Sequence, residues 1–476
     1  MMGLGNRLSG IIGDRTRKKE HAGLNIIIVG CGKIGTTLAE QLSKEGHDIT
    51  IIDKNPDRIT TLIEGCDVMG IIGNGASYSI LQEAGIDSAD LIIAVTNSDE
   101  LNLLTCTIAQ RVGQNCAAIA RVRDPEYSDE LVYLQQRLGL AMIINPEHLA
   151  AREIRRILSL PDALGVNEFA HGLANMVRFK VNKGSVLVGK SLMQVGQTIT
   201  SNVLVCGAER GSELFIPDGR FVINEGDILT IIASAYSATT FLDYVCGQKR
   251  RARTCMIIGG GKATYYLAKE LESVDIEVKI IEQVKSRCEE LSLLLPKAII
   301  INGDGSQVSL LIEEGIEEED AFVALTGMDE ENILMTLYAK EVSNAKVITK
   351  LNRISYNDVL SNLDLGSMVF PKFMASESIL RYVRAYTASK EINNIETLYN
   401  LFDHRAEAIE FKIGAASNVT GIPLKDLKLK DNLLITLIDR KGQILIPRGN
   451  DELREGDSVV IVTTHKGFRN LSDILQ

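Results

Sequence analysis

The chain has 476 residues, of which 45% are hydrophobic and 24% are charged, as is typical of a globular protein with large cores. At roughly 100–200 residues per domain, this length predicts two to four domains. The formal net charge of −11 argues against nucleic acid as a main partner, because phosphate contacts need clustered positive charge. Eight Cys without a CxxC pair and six isolated His argue against a zinc site.

The N-terminal segment 1–23 has no signal-peptide core, and no later run approaches the ~20 apolar residues needed to span a bilayer. We therefore expect a chain that is soluble on its own, which leaves contact with a membrane protein open. The segment carries the basic stretch "RTRKK" at 15–19. A flexible, solvated extension is the favoured interpretation, and contact with an anionic membrane surface is the alternative.

Five short apolar runs follow between residues 24 and 144: "NIIIVG", "DITIID", "VMGII", "LIIAVT" and "CAAIARV". Amphipathic segments such as "IGTTLAEQLSKEG" separate them. Runs that are apolar throughout suit parallel strands buried on both faces. This segment is therefore predicted to be an α/β domain with a doubly wound, Rossmann-like parallel sheet.

A GxGxxG motif formed by Gly30, Gly32 and Gly35 lies directly after the first run and opens a predicted helix. In such a turn the first glycine allows the bend, the second lets a pyrophosphate approach the backbone, and the third lets helix and strand pack closely. The helix N-terminus then offers unpaired N–H groups to the phosphates. Asp53 ends the second run, where its carboxylate is placed to accept hydrogen bonds from ribose hydroxyls and to repel a ribose phosphate. The pattern favours NAD(H) over NADP(H).

Three polar residues extend this predicted site. Thr96 and Asn97 end the fourth run and Arg121 ends the fifth, at the carboxyl ends of strands where ligands bind in such sheets. Arg121 would supply positive charge to a phosphate. The structural alternative is that Thr96 and Asn97 are turn residues and that Arg121 is a surface ion-pair partner. The glycine turn and Asp53 favour the ligand interpretation.

The sheet is followed by a predicted crossover helix and linker at 145–165, where Leu149, Ile154, Ile157 and Leu158 form one apolar face. Two alternatives are open: this helix packs on its own sheet, or it crosses to a partner lobe. Residues 166–246 contain hairpin patterns such as "ERGSELFIPDGRF" and are predicted to form a small α/β lobe with antiparallel strands. The basic stretch 247–253 is interpreted as a solvated linker.

The second half of the chain repeats the first. Gly259 follows Gly30 by 229 positions, and Glu282 follows Asp53 by the same number. The segment "AFVALTGMDEENILMTLYAK" likewise repeats "LIIAVTNSDELNLLTCTIAQ". The repeat predicts a second Rossmann-like domain at 254–371, a second crossover helix and linker at 372–400, and a second small lobe at 401–476.

The second glycine turn differs from the first. The sequence "GGGKAT" keeps Gly259 and Gly261, but Thr264 stands where the third glycine is expected. Glu282 retains the acidic position at the end of the second run. Three alternatives stay open for this site: NAD(H), another adenine nucleotide, or no ligand.

No motif for catalysis accompanies the two turns. His171 and His404 lie outside any recognisable acid/base pattern, and the sequence has no nucleophile elbow and no Walker lysine motif. The small lobes look too small and too repetitive to form a substrate pocket. We therefore expect that the nucleotide is sensed rather than consumed and that the protein is not an enzyme.

The sequence contains the motifs "GCGKIG…IIDKN", "GNGAS", "AVTNSDELN", "RVRDPEY", "NPEHLAAREI" and "VGKSL…LFIPDGRFVINEGDIL". Together they resemble the TrkA family of cytosolic proteins in bacterial and archaeal Trk potassium uptake systems. The halves of these proteins are RCK (regulator of conductance of potassium) domains. The resemblance covers nearly everything from Asn25 to the C-terminus. It implies a peripheral subunit that forms a homo-oligomeric, tetrameric ring beneath a TrkH/TrkG-like membrane subunit and gates potassium flux. It also implies NAD(H) as cofactor, with ATP or ADP as alternative ligands, because some members respond to those nucleotides.

Carried over position by position, the resemblance implies two sets of nucleotide-binding residues. The first set is Gly30, Cys31, Gly32, Lys33, Ile34, Gly35, Asp53, Thr96, Asn97 and Arg121. The second set is Gly259, Gly260, Gly261, Lys262, Ala263, Glu282, Thr326, Gly327 and Lys350. The second set departs from the family pattern at Thr264 and at Gly327, where an Asn side chain is missing.

Two other functions compete with this interpretation. One is a cytosolic NAD-dependent oxidoreductase made of duplicated dinucleotide domains, which hydride transfer to a metabolite would reveal. The other is a nucleotide-sensing subunit of a potassium efflux or antiport system. Copurification with a membrane protein separates the efflux interpretation from the enzyme, and the identity of that membrane protein separates efflux from uptake.

Overall fold

The computed structural model of the chain describes residues 23–113, 116–160, 163–169, 173–198, 202–246, 252–352, 363, 365–390, 395–402, 405–414, 417–468 and 470–476. The N-terminal extension up to residue 22, the linker residues 247–251, His171 and His404 lie outside these ranges. The described residues form two domains with parallel sheets that alternate along the chain with two lobes built on antiparallel sheets. The predicted fold class is confirmed.

The first domain is a six-stranded parallel sheet with the order β3-β2-β1-β4-β5-β6. Its strands are β1 (Asn25–Val29), β2 (Asp48–Asp53), β3 (Met69–Ile72), β4 (Leu91–Ala94), β5 (Ala117–Arg121) and β6 (Met142–Ile144). Its helices are α1 (Lys33–Lys44), α2 (Pro56–Gly65), α3 (Tyr78–Glu83), α4 (Asp99–Val112) and α5 (Leu131–Arg137). The five predicted runs form β1 to β5, and the short β6 is an addition that the apolar pattern does not predict. The strand order reverses at β1, so a crevice opens between the ends of β1 and β4.

The second domain repeats this sheet with the order β14-β13-β12-β15-β16-β17. Its strands are β12 (Thr254–Ile258), β13 (Glu277–Glu282), β14 (Ile299–Asn302), β15 (Ala321–Ala324), β16 (Lys346–Lys350) and β17 (Ser367–Val369). Its helices are α9 (Lys262–Glu272), α10 (Lys285–Leu294), α11 (Val308–Glu313) and α12 (Asp329–Val342). The internal sequence repeat therefore corresponds to a structural repeat.

The two lobes share one antiparallel topology, β10-β9-β11-β8-β7 in the first and β21-β20-β22-β19-β18 in the second. The first lobe contains β7 (Ala163–Phe169), β8 (Ala174–Lys180), α7 (Leu192–Thr198), β9 (Val203–Arg210), β10 (Glu213–Phe215), β11 (Ile228–Ala233) and α8 (Ala235–Cys246). The second contains β18 (Ile395–Leu401), β19 (Ala406–Lys412), β20 (Leu433–Arg440), β21 (Gln443–Leu445) and β22 (Ser458–Thr463). The predicted hairpins are the β9–β10 and β20–β21 pairs.

One helix connects each domain to its lobe, and each of these two helices packs on the other half of the chain. Helix α6 (Pro146–Ser159) buries Ile154 and Ile157 in one core with Leu267 of α9. Helix α13 (Pro371–Lys390) buries Ile379 in one core with Leu38 of α1. The crossing alternative is therefore the one that the structure shows, and the two halves exchange helices reciprocally.

The two lobes also pack on each other, through the faces of their sheets. Phe169 and Phe402 lie in a single apolar cluster that draws residues from both lobes. Glu209 of the first lobe accepts hydrogen bonds from Arg178 of the same lobe at 2.6 Å and from Arg405 of the second at 2.7 Å. Domains and lobes thus form two pseudo-symmetric pairs within one chain.

Candidate nucleotide-binding sites

The first glycine turn connects β1 to α1 at the point where the strand order reverses. Gly30 has φ +110°, a left-handed value that favours glycine, and its N–H donates to the carbonyl of Ile52 at 2.8 Å. A side chain at Gly30 would also meet the backbone of Val95 and Thr96 at about 3.0 Å. The turn is therefore pressed against the end of β4, and glycine is needed at this position for the fold itself.

The other two glycines of the motif have different surroundings. A Cβ at Gly35 would lie 1.9 Å from the carbonyl oxygen of Gly30, so the third glycine lets α1 pack against the turn. A Cβ at Gly32 would meet no protein atom within 4 Å, and Gly32 has an ordinary φ of −86°. No protein contact in the described structure requires glycine at position 32. Its small size leaves open the space where a phosphate would approach the N-terminus of α1.

Asp53 lies at the end of β2 and already binds the turn. Its Oδ2 accepts a hydrogen bond from the Cys31 N–H at 2.6 Å, and its Oδ1 accepts one from the Asn55 N–H at 2.8 Å. A carboxylate has about four acceptor positions, so lone pairs remain for ribose hydroxyls. Asp53 therefore holds the glycine turn in place and also faces the crevice.

Thr96, Asn97 and Arg121 form one hydrogen-bonded group at the ends of β4 and β5. The Thr96 hydroxyl donates to Oδ1 of Asn102 at 2.7 Å, while the Arg121 guanidinium donates to the carbonyl of Thr96 and to Oδ1 of Asn97. Arg121 is only 7% exposed, and burial, followed by the charge of Arg123, lowers its pKa to about 10. Arg121 is therefore not the surface ion-pair partner of the structural alternative. It orders the loop that borders the crevice.

The remaining residues of the first set divide into packing and bridging roles. Ile34 is buried in the core beneath α1. Cys31 is buried as well, and burial raises the pKa of its thiol. Lys33 borders the crevice and donates through Nζ to the carbonyl of Asn352 in the second domain at 2.9 Å.

These residues surround a cavity of ≈ 470 Å³ at the mouth of the crevice. Of the predicted residues, those that line it are Gly30, Gly32, Lys33, Ile34, Asp53, Thr96, Asn97 and Arg121. Lys54, Arg58 and Lys372 line it too and are absent from the predicted set. Arg58 follows Asp53 by only five positions, so its place near the turn could have been suspected from the sequence. Lys372 lies in the second half, and no sequence pattern connects it to this cavity.

The second turn has the same backbone but is closed by a side chain. Gly259 has φ +97°, and a Cβ at Gly261 would meet nothing within 4 Å, as at Gly32. The hydroxyl of Thr264 donates to the carbonyl of Gly259, which closes the turn where Gly35 does so by close packing. Glu282 accepts hydrogen bonds from the N–H groups of Gly260 and Val284 at 2.6 and 2.7 Å. The acidic residue therefore has the same structural role in both halves.

Two side chains connect the second turn to its surroundings. Arg287 donates through Nε to the carbonyl of Gly260 at 2.6 Å. Lys262 forms an ion pair of 2.6 Å with Asp124 of the first domain, which lowers the pKa of that carboxyl. Ala263 is buried in the core beneath α9. The lysines of both glycine turns thus reach across to the opposite half.

The loop after β15 repeats the loop after β4 with one polar contact fewer. Thr326 donates to Oδ1 of Asn332 at 2.8 Å, and Lys350 donates to the carbonyl of Leu325 at 3.2 Å. Gly327 has no side chain that could accept a hydrogen bond in the way Asn97 does. Burial lowers the pKa of Lys350. The predicted residues of the second set therefore lie together around the second turn.

Among the described residues, no group of three or more His, Cys, Asp or Glu is arranged to hold a metal ion. None of the described helices combines the length and the apolarity needed to cross a membrane.

The fold and the two turns define a class: proteins with duplicated dinucleotide-binding folds, each followed by an antiparallel lobe. The TrkA-N domain model matches residues 26–146 and 255–371, and the TrkA-C domain model matches residues 176–245 and 408–476. The chain is 34% identical over 446 residues to the Trk system potassium uptake protein TrkA homolog 1 of Methanosarcina mazei, covering 92% of this chain and 97% of that protein. It is 31% identical over 458 residues to the Trk system potassium uptake protein TrkA of Haemophilus influenzae, covering 95% of this chain and 98% of that protein. The chain belongs to the TrkA family.

Solved structures share the fold. The GsuK channel bound to NAD superimposes with a TM-score of 0.61 at 18% identity, covering 94% of this chain and 77% of that chain. The GsuK RCK domain superimposes with a TM-score of 0.63 at 18% identity, covering 93% of each chain.

Proposed function

We propose that this protein is the cytosolic, nucleotide-sensing subunit of a Trk-type potassium uptake system. It binds NAD(H) at the first glycine turn and gates a membrane potassium-translocating subunit of the TrkH/TrkG type. The observation that carries the proposal is the open space at Gly32, because a glycine that no protein contact requires is explained by a ligand that approaches the backbone. Membership in the TrkA family supports the potassium-uptake role.

The ligand assignment rests on the two acidic residues. Asp53 and Glu282 lie where ribose hydroxyls are bound in dinucleotide folds, and their charge disfavours a ribose phosphate. NAD(H) is therefore the proposed ligand of the first site, and a structure with the same fold, the GsuK channel, has been solved with NAD bound. ATP or ADP is the alternative for one of the two sites. The nucleotide acts as a signal and is not turned over.

Coupling between the sites follows from contacts between the halves. Lys33 reaches Asn352, and Lys262 reaches Asp124, so each glycine turn touches the opposite half through its own lysine. A ligand shifts a conformational equilibrium by its differential affinity for the two states. Nucleotide that favours one arrangement of turn and lysine therefore favours one arrangement of the halves. In a homotetrameric ring attached to the membrane subunit, that preference would be passed to the pore.

Titration calorimetry of the purified chain with NADH, NAD, ATP and ADP tests the binding part. We expect NADH to bind without being oxidised, and Asp53→Ala to lose that binding. Glu282→Ala reports on the second site in the same titrations. Because both carboxylates also hold their turns, the thermal unfolding midpoint of each variant is measured alongside. NADH consumption in the presence of metabolites would instead favour an oxidoreductase.

Copurification and flux measurements test the transport part. We expect the chain to copurify with a TrkH/TrkG-like protein as a tetramer and to make potassium uptake into vesicles depend on nucleotide. If Asp53→Ala abolished NADH binding and left nucleotide-dependent uptake unchanged, the first site would not gate transport. Copurification with an efflux protein would assign the chain to the competing system.

A further inference from the structure

Lys372 belongs to the second half of the chain but lines the cavity of the first site. It is the second residue of α13, directly after Pro371. That helix is docked on the first domain, with Ile379 and Val383 in the same core as Leu38 of α1. The reciprocal helix exchange therefore delivers the Lys372 side chain beside the first glycine turn, where it lines the cavity together with Gly32 and Lys33.

The charges around this cavity are strongly unbalanced. Its ionisable lining residues are the cations Lys33, Lys54, Arg58, Arg121 and Lys372 and one carboxylate, Asp53. Like charges that converge on a space without a matching anion repel each other. Burial and then the charge of Lys33 lower the pKa of Lys372, while the carboxylates of Asp329 and Glu147, which do not line this cavity, raise it. Lys372 is an exposed residue that is partly desolvated, and its ammonium group makes no hydrogen bond or salt bridge to another described residue.

Lys372 lies close to the place where phosphates bind in a dinucleotide fold. A second cavity, of ≈ 490 Å³, adjoins the first, and the residues that line both are Gly32, Lys33, Arg58 and Lys372. Gly32 is the N-cap of α1, and no side chain caps this helix end. The ammonium of Lys372 and the free N–H groups of α1 therefore converge on one region.

The corresponding residue of the first half has the opposite charge. Helix α6 begins with Pro146 and Glu147, as α13 begins with Pro371 and Lys372. Glu147 favours the charged form of Lys350 in the second site and also of Arg121 and Lys372 beside the first. One oxygen of Glu147, Oε2, is buried without a hydrogen-bond partner among the described residues. The exchanged helices therefore begin with residues of opposite charge, and only the lysine lines the cavity of the first site.

We propose that Lys372 is a ligand-binding residue of the first nucleotide site, where it contacts a phosphate of the bound dinucleotide from the opposite half of the chain. This inference rests on the proposed function, because it requires that the first turn binds a nucleotide. The first site is then composite and is complete only when α13 is docked on α1. Bound nucleotide stabilises that docking, so occupancy of one site is communicated directly to the half that carries the other.

Titration calorimetry with NADH on the full chain tests this, using Lys372→Arg, Lys372→Met and Lys372→Glu. We expect Lys372→Met to weaken NADH binding about tenfold, the size of one charge-assisted contact. Lys372→Arg should bind NADH with nearly the wild-type affinity, and Lys372→Glu should bind NADH more weakly than Lys372→Met does. Lys44→Met, on an exposed lysine at the C-terminal end of α1, is the matched control and leaves binding unchanged. Affinity that follows the charge at position 372 is not expected from a packing role.

The outcomes separate the two levels of the hypothesis. If wild type binds NADH, Asp53→Ala loses it, and all three Lys372 variants bind like wild type, the composite site is wrong and the proposed function stands. If wild type binds no NADH, both are wrong. If Lys372→Met also lowers the thermal unfolding midpoint, Lys372→Arg separates a packing role from a binding role. A Lys372→Arg variant with the wild-type midpoint but without the wild-type NADH affinity would contradict the proposal.

Discussion

Gly32→Ala separates the requirements of the fold from those of the ligand. The added Cβ would meet no protein atom within 4 Å, and the backbone at Gly32, with φ −86° and ψ −174°, is open to any residue. Replacing glycine at a compatible position stabilises by about 0.4–1 kcal/mol through the unfolded state. Gly32 is also the N-cap of α1, where Gly is preferred to Ala. The two effects oppose each other, so we expect the free energy of unfolding to change by less than about 1 kcal/mol.

The same methyl group projects into the space where the pyrophosphate would lie. Inserting a methyl group into a close contact costs about 1–3 kcal/mol. At 1.4 kcal/mol per tenfold change, NADH should bind roughly 5- to 150-fold more weakly. Gly261→Ala is the equivalent test for the second turn, since a Cβ there also meets no protein atom. Its effect on ATP, ADP and NADH would identify the ligand of that site.

The assay pairs titration calorimetry with chemical denaturation of the same samples. Gly165→Ala, on β7 of the first lobe, is the matched control, because a Cβ there is equally free of contacts and lies in the small lobe, away from both turns. It should raise the free energy of unfolding by about 0.4–1 kcal/mol, since no N-cap effect opposes the gain, and leave the NADH affinity unchanged. Unaltered NADH affinity in Gly32→Ala would refute the reasoning, since it would mean that the ligand does not approach this turn.

Three further predictions concern stability. Gly35→Ala should lower the free energy of unfolding by at least ~2 kcal/mol in chemical denaturation, because its Cβ would lie 1.9 Å from the Gly30 carbonyl oxygen. A variant as stable as the wild type would mean that α1 can move away from the turn. Ile379→Ala should lower the free energy of unfolding by about 3 kcal/mol in urea denaturation, because Ile379 is fully buried between α13 and the first domain. Ile63→Ala, on an isoleucine that is 44% exposed, should lower it by about 0.5 kcal/mol or less. Equal losses in the two variants would contradict docking of α13. Burial raises the pKa of Glu407, whose Oε2 has no hydrogen-bond partner among the described residues, so the folded state retains this proton to higher pH than the unfolded state. The wild type therefore loses stability as the pH rises above the usual pKa range of a Glu side chain. In thermal unfolding, Glu407→Gln should be more stable than the wild type at pH 7 and equally stable near pH 4. The same difference in unfolding midpoint at both pH values would contradict the burial argument.

The parts of the fold that follow from local sequence were predictable. Runs such as "IIIV" at 26–29 must be buried on both faces because they contain no polar position, and a parallel sheet covered by helices meets that requirement. The hairpins of the lobes follow from their turn residues. The strands β6 and β17 are three residues long, too short for any periodicity to distinguish them from a loop.

The partners of the connecting helices could not be predicted. The apolar face of α6 is compatible with any apolar surface, so its residues do not indicate whether Leu267 of the second domain or the helix's own sheet lies opposite. The consequence for the site is direct. Asp53 and the glycines were predictable because they lie close to the turn in sequence. Lys372 enters the first cavity only through the helix exchange, which depends on long-range packing.

The helix exchange joins two halves that are covalently continuous. In a homodimer, the equivalent association would depend on protein concentration and would be lost on dilution. Here the effective concentration of one half around the other is set by the connecting chain and stays the same however dilute the protein becomes. A homodimer must also carry identical residues on both of its exchanged helices, whereas this chain carries Glu147 at the start of α6 and Lys372 at the start of α13. Because the two halves are covalently linked, each nucleotide site can diverge in sequence towards its own ligand while the two halves stay together at any protein concentration.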